Sequence, residues 1–222
     1  MKPELWDAVS GAIRPLPAFV QKDGVTTVPM QLEALESAFV VFRSKGKPNS
    51  SNLQDNYPQP AILAEATAPW QVTFESDKYR RGPAEAITFN RLDDWSKNND
   101  DRIRYFSGTA VYKSTLSLKE IPAGKTIFID LGKVNVMAKV KINGQYAGGA
   151  WTAPFRVDIT KYVKQGDNAI EIEVVNTWMN RLIGDLRLPE KERTTWSHNN
   201  PWKTDTPLQP SGLTGPVRFI GL

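Results

Sequence analysis

The chain has 222 residues, and 28 Lys and Arg against 24 Asp and Glu leave a formal charge of +4. That length predicts one large domain, or one domain plus a fragment, with enough chain to bury a core unaided. The absence of cysteine and a single histidine, His198, exclude disulfide frameworks, iron–sulfur clusters, Cys-based zinc sites, thiol catalysis and His-rich metal sites. The longest apolar run, 38–42, is far short of the ~20 residues of a transmembrane helix. No charged start followed by an apolar stretch reads as a signal peptide. The excess charge is small and scattered, so neither nucleic acid nor a membrane is expected as a partner.

Taken in chain order, 13–20, 26–32 and 38–42 read as strands, with Asp23-Gly24 as a turn. Three strands cannot make a core of their own. They either join a main sandwich or are the C-terminal strands of a preceding β domain, spanning 1–45. Leu5-Trp6, a hydrophobic start with no visible partner, favours the second. Residues 46–68, rich in Pro, Asn and Ser at their start, read as a linker, and 69–222 as the principal domain.

Within that domain 71–75, 103–106, 126–131, 155–159 and 216–220 are short strand candidates. Ala110, Tyr112, Leu116 and Leu118 alternate with polar residues, as do Val136, Ala138, Val140 and Ile142, and then Ile170, Ile172 and Val174. Such alternation marks strands with one buried face. Asn143-Gly144 between two such runs is a strong hairpin signal, because a type I′ turn needs positive φ at both positions. Gly166-Asp167-Asn168 turns again. The class is all-β, an antiparallel sandwich.

Between the strand ending near Val175 and the one starting near Pro216 lie about 40 residues with no periodic pattern, and loops of that length are commonly functional. Trp178, Trp196 and Trp202 sit there among Asn180, Arg181, Asp185 and His198. An indole covers the C–H face of a pyranose while amides, Arg and carboxylate pair with its hydroxyls. The carbohydrate-contact candidates are therefore Trp178, Asn180, Arg181, Asp185, Trp196 and Trp202, with Trp151 just after the hairpin. Trp196 and Trp202 rank first, and Trp178, next to Val174 and Val175, is the more core-like. The competing reading has the indoles closing the end of the sandwich and Arg181 paired to Asp185.

The run of Asp93, Asp94, Asn98, Asn99, Asp100 and Asp101 has the hard oxygen donors that calcium prefers, but its spacing matches no EF-hand loop and acidic turns are usually solvated. No cofactor is expected, and a structural calcium ion is the one metal the sequence leaves open. A glycosidase would need two carboxyl groups flanking the scissile bond. Glu171 and Glu173 lie on a solvated strand face, and nothing fixes Asp185 relative to Glu190 or Glu192. No Gly-x-Ser-x-Gly elbow and no phosphate-cradling glycine loop occurs. A glycosidase with an unrecognised acid pair stays as the minor alternative.

The residues Val134-Asn135-Val136 to Ile142-Asn143-Gly144, then Pro154 to Thr160, Gly166 to Ile170 and Val174-Val175-Asn176 resemble the sugar-binding domain of glycoside hydrolase family 2. That resemblance implies a jelly-roll sandwich of the galactose-binding-like type. The stretch Asn176 to Asp185 and the closing Pro210 to Val217 are similar to the C-terminal module of large bacterial rhamnosidase-type enzymes, as in family 106, and the opening Leu5-Trp6-Asp7 and Ser37 to Phe42 to the stretch preceding that module. In such enzymes the catalytic acids lie in another domain. The resemblance therefore implies a non-catalytic carbohydrate-binding or accessory module of a larger hydrolase acting on plant or complex polysaccharide. A rhamnose- or galactose-containing glycan and the parent's catalytic domain are its expected partners, and the periplasm or cell exterior its location. A purely structural domain packing on the catalytic domain, without sugar affinity, is the alternative.

Overall fold

The computed structural model describes residues 1–32, 36–44, 56–67 and 69–222. They form two compact units, one of Met1–Pro60 with Leu222 and one of Ala61–Gly221. Most of the stretch read as a linker before residue 56 lies outside the described residues.

The first unit holds β1 (Lys2–Asp7), β2 (Ile13–Pro15), β3 (Val20–Lys22), β4 (Val25–Thr27) and β5 (Ala38–Ser44). β1 is the middle strand of a β2-β1-β5 sheet, and β3 and β4 form a hairpin on the expected turn, with positive φ at Asp23 and Gly24. The long strand expected over 13–20 is only three residues, because Pro15 and Pro17 have no N–H to give a ladder. β1 itself was not expected; its Leu5 is buried and lies opposite Arg14 and Val40 in the sheet. Pro3, Leu16 and Phe19 are also buried there. Asn56 ties the unit's loops together, accepting from the Ala18 amide at 2.8 Å and donating to the Ala18 and Pro29 carbonyls at 2.8 and 3.0 Å.

The second unit is an antiparallel β-sandwich. Its large sheet is built from β7 (Trp70–Phe74), β8 (Ile87–Phe89), β9 (Thr109–Leu118), β12 (Met137–Ile142), β13 (Gln145–Ala150) and β15 (Gly166–Val175), in the order β13-β12-β15-β9-β7-β8. The smaller sheet runs β14-β10-β17-β6, from β6 (Ala61–Glu65), β10 (Ile127–Asp130), β14 (Arg156–Asp158) and β17 (Arg218–Gly221). β11 (Lys133–Asn135) pairs with β16 (Gly212–Gly215). Val72, Tyr112, Val140 and Ile172 from the large sheet join Ile127, Ile129 and Phe219 from the small one in a single buried cluster. Each such aliphatic side chain contributes about 1.5–3 kcal/mol on burial. On the opposite face of β15, Glu171 and Glu173 pair with Lys113, Lys139 and Lys141, so those carboxylates are committed to a charged outer ladder.

Three expectations need correction. Ala61–Glu65, placed in the linker, is β6, an edge strand paired with β17 and held by Arg218 to Glu65 at 2.7 Å. Residues 103–106, expected as a strand, belong to α1 (Asp101–Arg104) and the turn after it. Asp100 caps that turn by accepting the Arg102 amide, and Ile103 and Phe106 are buried at a helical i, i+3 spacing. The apparently pattern-free stretch after Val175 contains α2 (Met179–Leu186), whose buried side is made of Asn180, Arg181, Ile183, Gly184 and Asp185.

Candidate functional site

α2 carries the centre of the site, and its inward-facing polar residues explain how. Arg181 and Asp185 are 5% and 2% exposed and form an ion pair, Nη2 to Oδ1, at 2.8 Å. The other carboxylate oxygen of Asp185 accepts from the Thr195 hydroxyl at 2.6 Å and from the Thr195 and Thr194 amides at 2.8 and 3.1 Å. Burial alone would push the Asp185 carboxyl up, but the Thr195 hydroxyl, Arg181 and the two amides outweigh it and hold the group below its ordinary range. Burial outweighs Asp185 at Arg181, whose guanidinium is shifted down. Asn180, also buried, donates to the Gln209 carbonyl and the Ser211 hydroxyl, each at 2.8 Å, and accepts from the Gln209 amide. Gly184 lets the helix press against Tyr105, since a Cβ there would lie 2.7 Å from the Tyr105 Cβ. The three polar candidates thus clamp the chain and are covered by it; none presents a free hydrogen-bonding group to a ligand at the surface.

What they hold in place is an open groove of about 530 Å³, within the range of roughly 300–1,000 Å³ typical of small-ligand sites. Trp178 and Leu182 form one side, and the clamped segment Thr194–Thr195 with Trp196 and Ser197 another. Trp178 is 44% and Trp196 83% exposed, so the ring expected to be core-like is instead an open wall. The remaining side is Tyr79 and Arg80, in the turn after β7. Asp77 shapes that turn by accepting the Tyr79 and Arg80 amides at 2.8 and 3.0 Å. The Arg80 guanidinium lies 5.7 Å from the Trp178 ring centroid and is bound by Glu75 at 2.7 Å and Asp77 at 2.5 Å. Tyr79 and Arg80 carry no local sequence signal; they are remote from the Trp-rich stretch in the chain and meet it only through the fold.

The other two aromatic candidates lie elsewhere. Trp151 is 63% exposed beyond the end of β13 and is not a groove residue. Trp202 is partly covered, its amide donating to the Asn200 side chain at 3.2 Å, and it too does not line the groove. His198 packs edge-on against Trp196, with centroids 6.2 Å apart.

The acidic run before α1 is spent on local structure. Asp94 accepts from the Ser96 and Ser211 amides, and Asp100 caps α1 and pairs with Arg102 at 2.7 Å. Among the described residues no group of three or more His, Asp or Glu is placed to hold a metal ion. No described helix is long and apolar enough to cross a membrane.

Residues 87–209 match the family model described as glycosyl hydrolase 2 galactose-binding domain-like. A solved rhamnosidase from Novosphingobium sp. PP1Y matches 99% of this chain at 38% identity and a TM-score of 0.87, the match covering 20% of that chain. A Formosa agariphila protein provisionally named a beta-glucuronidase is 38% identical over 190 residues, 73% of this chain and 16% of its own length. A Ruminococcus gnavus beta-glucuronidase structure shares the fold over 75% of this chain and 29% of its own, with a TM-score of 0.50 at 16% identity. The chain therefore spans about a fifth or less of the length of the rhamnosidase and of the curated relative.

Proposed function

The chain belongs to the glycosyl hydrolase 2 galactose-binding domain-like family, and from that premise we propose that it is a non-catalytic accessory module of a larger glycoside hydrolase, holding carbohydrate in the groove between Trp178 and Trp196. The observation that carries this is the pair of open indoles flanked by Tyr79 and by the hydroxyl oxygens of Thr195 and Ser197, whose own protons go to Asp185 and to the Asn199 carbonyl. Apolar rings exposed beside polar donors and acceptors suit the two faces of a sugar, and large exposed aromatics otherwise cost solubility. The non-catalytic part rests on the carboxylates nearby. Asp185 is buried in its clamp, and Glu75 and Asp77 are bound to Arg80, which among the described residues leaves no acid pair facing the groove.

The glycan contains rhamnose or galactose, in keeping with the rhamnosidase it resembles, and the parent works in the periplasm or outside the cell. Residues 1–45 are the closing strands of a preceding β domain, a reading supported by the exposed Ile13, Phe39 and Phe42 on a sheet too small for a core of its own. A second reading, that the rings meet the parent's catalytic domain rather than sugar, draws on the small share of the relatives that this chain spans.

A glycan array followed by titration of the best ligand, read by intrinsic Trp fluorescence, tests the proposal. Saturable binding that is lost in Trp178→Ala and Trp196→Ala is expected. Binding that survives both substitutions together, or release of nitrophenol from aryl glycosides by the chain itself, would overturn it.

A further inference from the structure

We propose that the groove selects an uncharged sugar and discriminates against a uronate, with Arg80, Glu75 and Asp77 as the specificity-determining group; this rests on the groove being the carbohydrate site. Among the described residues Arg80 is the one charged side chain lining the groove, and a lone arginine beside two indoles would ordinarily favour a carboxylate-bearing ring. Here two carboxylates already form ion pairs with the guanidinium, although its Nε makes no hydrogen bond. Glu75 Oε2 sits 2.7 Å from its Nε and Asp77 Oδ2 2.5 Å from its Nη1. Both acids are fixed from behind: Glu75 also accepts the Thr109 amide at 2.7 Å, and Asp77 accepts two amides of its own turn.

A uronate arriving at Arg80 would be the third carboxylate on one guanidinium, at a partly desolvated surface where like charges repel without full screening. A neutral ring meets no such opposition. It keeps the stacking on Trp178 and Trp196 and the hydroxyls of Tyr79, Thr195 and Ser197. The compensated arginine then acts as a flat surface beside Trp178, 5.7 Å from its ring centroid, and not as an anion anchor. The names of the glucuronidase relatives would suggest the opposite preference.

The test uses one pectic oligosaccharide digest in two forms, the free acid and the same material with its carboxyls methyl-esterified, which differ by the carboxylate charge and one methyl group per carboxyl. The full chain is titrated with each, with Trp178→Ala and Trp196→Ala as controls. Esterified material should bind about tenfold more tightly or better. Asp77→Asn keeps the Oδ1 acceptor that shapes the turn while removing one negative charge, so it should narrow the gap by strengthening binding of the acid. Equal or tighter binding of the free acid by the wild-type chain would overturn the inference and leave the groove standing. Binding of neither form, or binding indifferent to the two Trp substitutions, would overturn the groove itself and this inference with it.

Discussion

Arg181 and Asp185 meet at 2.8 Å one helical turn apart on α2, and the carboxylate that closes this pair also grips the backbone of Thr194 and Thr195. One buried group thus fixes both the helix that follows Trp178 and the segment that carries Trp196. The groove is positioned by residues that do not touch its contents.

Removing that group should therefore damage stability and groove geometry together. Asp185→Asn leaves Arg181 buried without its counter-charge, and losing one partner of a buried pair costs about 3–5 kcal/mol. Urea unfolding should show a loss of that size.

Acid should act through the same residue. The folded Asp185 carboxyl is held below its ordinary value of 3.8, so it binds protons less readily folded than unfolded. Its stabilisation is fully present above that ordinary value and is lost as pH falls through the lower, folded one. Stability should decline below about pH 4, and the Asp185→Asn variant should show a flatter acid limb in a series of urea midpoints against pH.

The sandwich was legible because its strands bury one face, so that Val140, Ile142, Ile170 and Ile172 alternate with less buried lysines and glutamates. The turn at Asn143-Gly144 was equally plain, with φ of 52° and 81°. The family showed in 134–176, where these turns and strands follow one another. α2 did carry a helical signal, Met179, Leu182, Ile183 and Leu186 at i, i+3, i+4 and i+7, but over only eight residues, and apart from Ile183 and Gly184 its buried residues are polar. The i, i+4 spacing of Arg181 and Asp185 was a second signal; the competing reading was right to pair them but not to bury the indoles, since Trp178 and Trp196 are exposed. Of the seven candidates, Trp178 and Trp196 converge on the groove, while Asn180, Arg181 and Asp185 support it from below. Tyr79 and Arg80 were invisible because only the tertiary fold brings them there.

A separate prediction concerns the core. Tyr112 Oη accepts from the Trp95 indole at 2.6 Å and the Leu213 amide at 3.3 Å, all three groups being buried. Tyr112→Phe leaves two buried donors without an acceptor, at about 1–3 kcal/mol for each. Thermal unfolding should move down by several degrees, while ligand titration at the groove should be unchanged.

The boundary between the two units can be tested by where the second one is started. A chain of 61–222 retains β6 and its pairing with β17, and should unfold in one cooperative transition. A chain of 69–222 exposes the β17 edge and the Ala64 and Leu63 contacts with the core, and should be markedly less stable by calorimetry. Equal stability of the two would show that β6 is an ornament to the sandwich and not part of it.

The most direct measurement of the central claim is a crystal structure of the chain with the oligosaccharide that an array selects. The account predicts a pyranose ring lying across Trp196 and Trp178, with its hydroxyls toward Tyr79, Thr195 and Ser197 and with Asp185 still closed on Thr194 and Thr195. A sugar seated over Trp151 or Trp202 while the groove stays empty would contradict it.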